Sequence, residues 1–269
     1  MQTVGRQLRL SIKGKATEMK DMQYFLEIYG GVPRAGPGSY ECTRRAFEMM
    51  PSVPESPRIL DIGCGPGVQT VDLLKISGGT VVALDFLPLM IERTRSNAER
   101  ADVAGRLEVL EQDMKQMDFP PASFDVIWSE GAIYNLGFEN GLKKVRDFVR
   151  PGGCVVVSEA VWLKPDPPAS VIEFWKQYPE IDTLENKLDV VDRLSYKLEG
   201  YFLLPDNAWT DDYYDPMENL VAEKSKEWTD IPEALEVVDE ARHEIEVFRK
   251  YSSYFGYAFF VMSRPVECT

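Results

Sequence analysis

An α/β fold is predicted: a mostly parallel sheet of seven strands with helices on both faces, N-terminal helices ahead of it and a helical cap inserted late in the chain. Three observations carry this expectation. Short apolar runs alternate with helical periodicity from Arg58 to Glu159. The first of these runs ends in a loop of closely spaced glycines. Beyond Pro165, Pro167 and Pro168 the alternation gives way to helical segments, before a last apolar run over Tyr254–Ser263.

Met19–Tyr29 reads as a short amphipathic helix with Met22, Phe25, Leu26 and Tyr29 on one face, stopped by Gly30-Gly31. The prolines and glycines of Val32–Ser39 exclude regular structure, and Ser39 is placed to cap a helix whose apolar face carries Cys42, Ala46, Phe47 and Met50. Strands follow at Arg58–Ile62, Thr80–Leu84, Arg106–Leu110, Phe124–Trp128 and Cys154–Glu159, with helices at Val68–Ile76, Pro88–Arg100 and Asn140–Arg150. Ala169–Tyr178, Ile181–Leu198 and Pro232–Lys250 read as helices and Gly200–Leu204 as a sixth strand. One domain is expected, divided into an N-terminal helical segment (1–54), a core (55–162), a cap with the sixth strand (163–253) and the final strand (254–264).

The 269 residues are enough to bury a sizeable core. Net charge is −14 and uneven: residues 201–250 hold fourteen acids against five bases, whereas the first twenty residues are basic. Such acidity repels phosphate backbones, so nucleic acid is not an expected substrate. No apolar run is long enough to span a membrane, and the basic start lacks a signal-peptide core, so a cytoplasmic protein without a membrane partner is expected. Cys42, Cys64, Cys154 and Cys268 are scattered, which favours free thiols over a zinc or disulfide framework. His243, the lone histidine, lies between Arg242 and Glu244 and reads as a solvated helix position; no metal site is expected.

The loop Asp61-Ile62-Gly63-Cys64-Gly65-Pro66-Gly67 carries the chemistry. Glycines between an apolar strand and a helix let backbone amides approach a ligand where a Cβ would collide. Dinucleotide enzymes space these glycines as Gly-x-Gly-x-x-Gly; here the third comes one residue earlier, and Asp61 precedes the loop, a charge that disfavours a pyrophosphate and suits a cationic amino-acid moiety. Asp85 ends the second strand, where a carboxylate can accept from two ribose hydroxyls, and Asp113 lies just past the third, within reach of an adenine amino group.

Together with Phe86, Gln112-Asp113-Met114, Phe124–Trp128 and Leu142–Gly153, these residues resemble the ordered motifs of class I S-adenosylmethionine-dependent methyltransferases, whose sheet is Rossmann-like. The resemblance spans about residues 55–162. It implies that Asp61, Gly63, Cys64, Gly65 and Gly67 surround the methionine part of S-adenosylmethionine, Asp85 the ribose, Phe86, Gln112 and Met114 the adenine, and Asp113 its amine, with S-adenosylhomocysteine as product. Gly36–Ser39, Trp128–Asn135, Ser158–Ala160 and Trp209-Thr210 resemble more narrowly a bacterial and archaeal subgroup of small-molecule methyltransferases.

Methyl transfer requires alignment, exclusion of water and, for a protonated nucleophile, a base. Glu130, just beyond the fourth strand, is the candidate to orient or deprotonate the acceptor, or alternatively to hold the cofactor's amino group; Tyr134 is expected in the pocket wall. Tyr40, Glu159, Trp209 and Tyr213 are expected around the acceptor, with Tyr24 and Tyr29 reaching the same cavity. The acids and aromatics of Trp209–Pro216 suit an amine or other small polar acceptor, or simply an anchored loop. No Asn/Asp-Pro-Pro-Tyr motif follows the fourth strand, and the cysteines lack an arsenite-binding set. Two alternatives stand beside the small-molecule methyltransferase: a non-catalytic cofactor-binding regulator or scaffold, and an NAD-dependent oxidoreductase.

Overall fold

The computed structural model describes residues 15–266. Residues 1–14 of the N-terminal segment, with the basic Arg6, Arg9 and Lys13, and also Cys268 lie outside the described residues. Two helices, α1 (Lys15–Ile28) and α2 (Tyr40–Glu48), precede the sheet. Ser39 caps α2 as expected, its hydroxyl accepting from the Cys42 amide at 3.2 Å.

The core follows as β1 (Arg58–Ile62), α3 (Val68–Ser77), β2 (Thr80–Asp85), α4 (Pro88–Arg100), β3 (Leu107–Glu111), β4 (Phe124–Ser129), α5 (Phe138–Arg146) and β5 (Val149–Trp162). The rest is α6 (Ala169–Trp175), β6 (Asp182–Thr183), α7 (Leu184–Arg193), β7 (Lys197–Leu203), α8 (Asp215–Glu227), α9 (Pro232–Tyr251) and β8 (Phe255–Ser263). The strand order is β3-β2-β1-β4-β5-β8-β7, with β6 beside β5. The pairings among β1 to β5 are parallel; β8 runs antiparallel between β5 and β7.

The central strands are covered on both faces, which is why they read as continuous apolar runs. Ile59, Val81, Val126, Trp128 and Val156 share one buried cluster with α3 and the cap, whereas Leu60, Ile62, Leu84, Ile127 and Val157 share the other with α5. Each such side chain contributes about 1.5–3 kcal/mol on burial, so the strand ends lie on the best-anchored part of the molecule. Strand order reverses between β1 and β4, and the crevice beyond their C-terminal ends receives both the glycine loop and Glu130.

Four boundaries differ from expectation. The helix expected over Ile181–Leu198 is interrupted at both ends. Asp182 and Thr183 pair with Val161 and Trp162 as an eighth strand, and Thr183 caps α7. At the other end Ser195 adopts φ 55°, and Lys197 already belongs to β7. The helix expected over Asn140–Arg150 is displaced to Phe138–Arg146, because Val149 pairs with Phe124 at the start of a β5 longer than expected. Trp209–Pro216 is no loop: a helical turn over Asn207–Trp209 leads through a π-turn at Thr210–Tyr214 into α8.

His243 is exposed on α9, and Cys42, Cys64 and Cys154 are buried free thiols. Among the described residues no helix is long and apolar enough to cross a membrane, and no group of three metal-ligating side chains occurs.

Candidate active site

The glycine loop is held from behind by side chains that take its carbonyls. Gln69 Nε2 donates to Cys64 O at 2.8 Å, Thr94 Oγ1 to Gly65 O at 2.8 Å and Asn97 Nδ2 to Pro66 O at 2.7 Å. Gly63 has φ 72°, and a Cβ there would lie 2.4 Å from Ala132 Cβ, so the approach of this loop to the turn after β4 depends on the missing side chain. At Gly67, also left-handed, a Cβ would meet Thr94 at 2.6 Å; this residue caps α3 and does not line the crevice.

Asp85 closes the loop from β2. Its Oδ2 accepts from the Gly65 amide at 3.0 Å and its Oδ1 from the Leu87 amide at 3.0 Å. A carboxylate offers about four acceptor directions, so each oxygen keeps one for a ligand in the crevice it lines. Burial raises its pKa, opposed by these amides.

Asp61 takes a different place from the one expected. It is fully buried beneath the loop, where Oδ2 accepts from Thr70 Oγ1 at 2.5 Å and lies 3.5 Å from Gln69 Nε2, and Oδ1 has no partner among the described residues. Burial pushes its carboxyl up to about 7. It acts on the crevice through Gln69, which does line it.

The crevice opens into a cavity of about 950 Å³, part of it open to solvent, walled by Gly63, Cys64, Gly65, Asp85, Phe86, Gln112, Met114, Glu130 and Tyr134 among the expected residues. Asp113 is not in this wall; it caps a short 3₁₀ turn, accepting from the Lys115 amide at 2.8 Å.

The opposite wall is a strap, residues 30–38, which includes the Gly36 and Pro37 of the motif noted in the sequence. Arg93 on α4 donates to Gly30 O and, at 2.9 Å, to Val32 O. Arg34, only 4% exposed, reaches Asp72 Oδ2 at 2.8 Å, Glu130 Oε2 at 3.3 Å and Asp212 Oδ2 at 3.8 Å. Glu130 also accepts at Oε1 from Thr43 Oγ1 at 2.7 Å and Trp128 Nε1 at 2.9 Å. Burial raises its pKa against the pull of Arg34. Three donors thus sit on its two oxygens, and through Arg34 it is tied to the strap. A buried arginine among prolines and glycines was the available signal.

A second cavity of about 450 Å³, part of it open space, adjoins the first, and Ala35, Gly36, Pro37, Gly131 and Tyr134 line both. Trp209 and Tyr213 stand in its wall with Tyr214, Tyr257, Phe174, Trp175 and Glu244. Glu244 is 2% exposed and accepts from Tyr29, Tyr213 and Tyr214 hydroxyls at 3.3, 3.0 and 3.3 Å. The sequence held a signal for it: an acid inside the apolar stripe Ala241, Ile245, Phe248 of α9. Burial raises the pKa of Tyr134 and Tyr257, so both phenols stay protonated.

Two expected pocket residues are elsewhere. Tyr40 is 44% exposed at the start of α2 and lines neither cavity. Glu159 is buried on the α7 side of β5, where it accepts from Tyr178 Oη and lies 3.4 Å from Lys187 Nζ. Tyr24 packs edge-on against Trp228.

An open, largely parallel sheet with this strand order, a glycine loop after β1 and an acid closing β2 defines the fold of class I S-adenosylmethionine-dependent methyltransferases. Residues 59–153 match a family model described as a methyltransferase domain. The sterol 24-C-methyltransferase of Aspergillus fumigatus is 32% identical over 115 residues, 42% of this chain and 30% of that enzyme. The 27-O-demethylrifamycin SV methyltransferase of Amycolatopsis mediterranei is 28% identical over 111 residues, 41% of this chain and 40% of that one. The matched stretch thus spans well under half the length of these curated relatives. A methyltransferase from Geobacter sulfurreducens, solved with S-adenosylhomocysteine, superposes with a TM-score of 0.80 at 20% identity, covering 90% of this chain and 98% of that one; it shares the fold.

Proposed function

We propose that this chain transfers a methyl group from S-adenosylmethionine to a small-molecule acceptor by in-line displacement, with S-adenosylhomocysteine as product. The observation that carries the reading is the pair of joined cavities: one bounded by the glycine loop and Asp85, the other by aromatic side chains, meeting at Gly131 and Tyr134. A two-substrate transfer needs such an arrangement, with donor and acceptor converging on one point. When bound, S-adenosylmethionine supplies a methyl carbon already activated by its sulfonium.

The chain's residues then bind, orient and exclude water. Asp85 holds the ribose hydroxyls with its two remaining acceptor directions; Phe86, Gln112 and Met114 enclose the adenine. Asp61 steadies Gln69 and the loop, Arg34 and Glu130 hold the strap over the crevice, and Tyr134 walls the junction as a neutral phenol. The acidic surface supports a small acceptor over a nucleic acid. Buried free thiols support a reducing compartment, the cytoplasm. One sheet joins core and cap, which supports a single catalytic unit.

Calorimetric titration tests the reading. S-adenosylhomocysteine is expected to bind and NAD not to, and Asp85→Ala is expected to weaken the former about 10- to 100-fold, the size of a lost charge-assisted hydrogen-bond pair. Equal binding of NAD, or unchanged affinity in Asp85→Ala, would overturn it.

A further inference from the structure

We propose that the second cavity binds a cationic nitrogen, making the methyl acceptor a small amine. The inference rests on the methyltransferase reading above and goes beyond it by naming the acceptor's chemistry.

Three observations point the same way. First, the wall is aromatic: Phe174, Trp175, Trp209, Tyr213, Tyr214 and Tyr257 line it, with Trp209 held against Tyr257 at 4.9 Å, ring centre to ring centre. Indole and phenol faces attract ammonium groups, by about 2 kcal/mol or more where water is excluded. Second, the same wall contains a buried carboxylate, Glu244, oriented by the hydroxyls of Tyr213 and Tyr214. Third, Trp175, 2% exposed and in the wall, has an indole N–H without a partner among the described residues. A buried donor left unmet costs about 1–3 kcal/mol, so this wall carries a polar group that the packing does not satisfy.

The chemistry agrees. An amine bound as its ammonium first gives a proton to water; the lone pair of the neutral nitrogen then forms the new N–C bond as the methyl carbon's bond to sulfur breaks, its electrons remaining on sulfur. Positive charge therefore moves from sulfur to nitrogen, and the product of a primary or secondary acceptor afterwards gives its proton to water. Aromatic faces and a carboxylate around the nitrogen favour the charge as it arrives, so they stabilise the transition state more than the neutral reactant. A thiolate or other anionic acceptor would instead meet Glu244 with like charge.

The test compares choline with its neutral isostere 3,3-dimethyl-1-butanol, each titrated against the full chain with and without saturating S-adenosylhomocysteine, by calorimetry and tryptophan fluorescence. Choline is expected to bind at least tenfold more tightly than the alcohol. Glu244→Gln is expected to remove most of that preference while leaving S-adenosylhomocysteine affinity unchanged. Tyr257→Leu, which removes an aromatic face and leaves the carboxylate in place, is expected to weaken choline about tenfold and provides the reading should Glu244→Gln fail to fold. Equal affinity for the two probes, or a preference that survives in a folded Glu244→Gln or Tyr257→Leu, overturns the proposal. Failure of S-adenosylhomocysteine to bind would instead strike the underlying methyltransferase reading, and the titrations without it would still report on the amine site.

Discussion

Arg34 and Glu130, ninety-six residues apart in sequence, meet at 3.3 Å inside the crevice, and the same guanidinium touches Asp72 on α3 and Asp212 beside the cap. One cation thus ties strap, core and cap together, and Gly38 lets it do so: a Cβ there would come within 3.0 Å of Glu130 Oε2 and 3.2 Å of Arg34 Nη1.

Removing that cation strands two largely buried carboxylates. Arg34→Met is expected to cost about 3–5 kcal/mol in urea denaturation, and Glu130→Gln, which keeps a side chain of the same shape, about 1–2 kcal/mol. Both should also weaken S-adenosylhomocysteine, because the strap forms a wall of its cavity. If Glu130→Gln were as stable as the parent, Glu130 would not be an anchor and its reading as a base would regain ground.

Two glycines of the crevice differ in what they tolerate. Gly63→Ala forces a left-handed backbone and drives a methyl group into Ala132, so a loss of about 2–5 kcal/mol is expected from strain and overpacking together. Gly36→Ala meets nothing within 4 Å. Its stability should stay within about 0.5 kcal/mol of the parent, while ligand affinity changes, since Gly36 faces both cavities. Equal losses in the two variants would mean that the loop does not pack against the Ala132 turn as described.

The contrast between these glycines also marks what the sequence could reveal. The sheet and its loop were legible because strand burial and glycine spacing leave one-dimensional traces, and Asp85 at the end of β2 follows from alternation alone. Trp175, Tyr257 and Glu244 come from three distant segments and converge only once α9 and β8 are in place. The break in the helix expected over Ile181–Leu198 was hidden for a related reason: pairing of Asp182 with Val161 overrides local helical preference. Asp113 shows the reverse, lying between the crevice residues Gln112 and Met114 yet capping a turn, while Tyr40 turns to solvent and Glu159 to a buried lysine.

Stability should depend on pH through Asp61. Its folded pKa of about 7 lies above the ordinary 3.8, so between those values the folded state holds a proton that the unfolded chain has lost. Stability contributed by this group is therefore full below about pH 4 and falls as pH rises toward 7, by about 1.4 kcal/mol per unit. Asp61→Asn cannot titrate. Urea denaturation from pH 5 to pH 8 should show a flatter profile for Asp61→Asn than for the parent, and parallel profiles would show that Asp61 is ionised throughout.

Lys187 is the counter-charge of Glu159, at 3.4 Å, and it also donates to Glu180 O at 2.8 Å and sits 4.6 Å from the centre of the Phe138 ring. Both members of the pair are buried, and Glu159 Oε2 has no partner among the described residues. Lys187→Met leaves an unpaired carboxylate in the interior, so a loss of about 3–5 kcal/mol is expected at pH 8. Burial already raises the pKa of Glu159 against the pull of Lys187; with the lysine gone it rises further, and protonation neutralises the stranded charge. The deficit of Lys187→Met should accordingly shrink between pH 8 and pH 5, and Glu159→Gln combined with Lys187→Met should recover much of it at pH 8. A deficit independent of pH and unrelieved in the double variant would assign the loss to packing around Phe138 rather than to the ion pair.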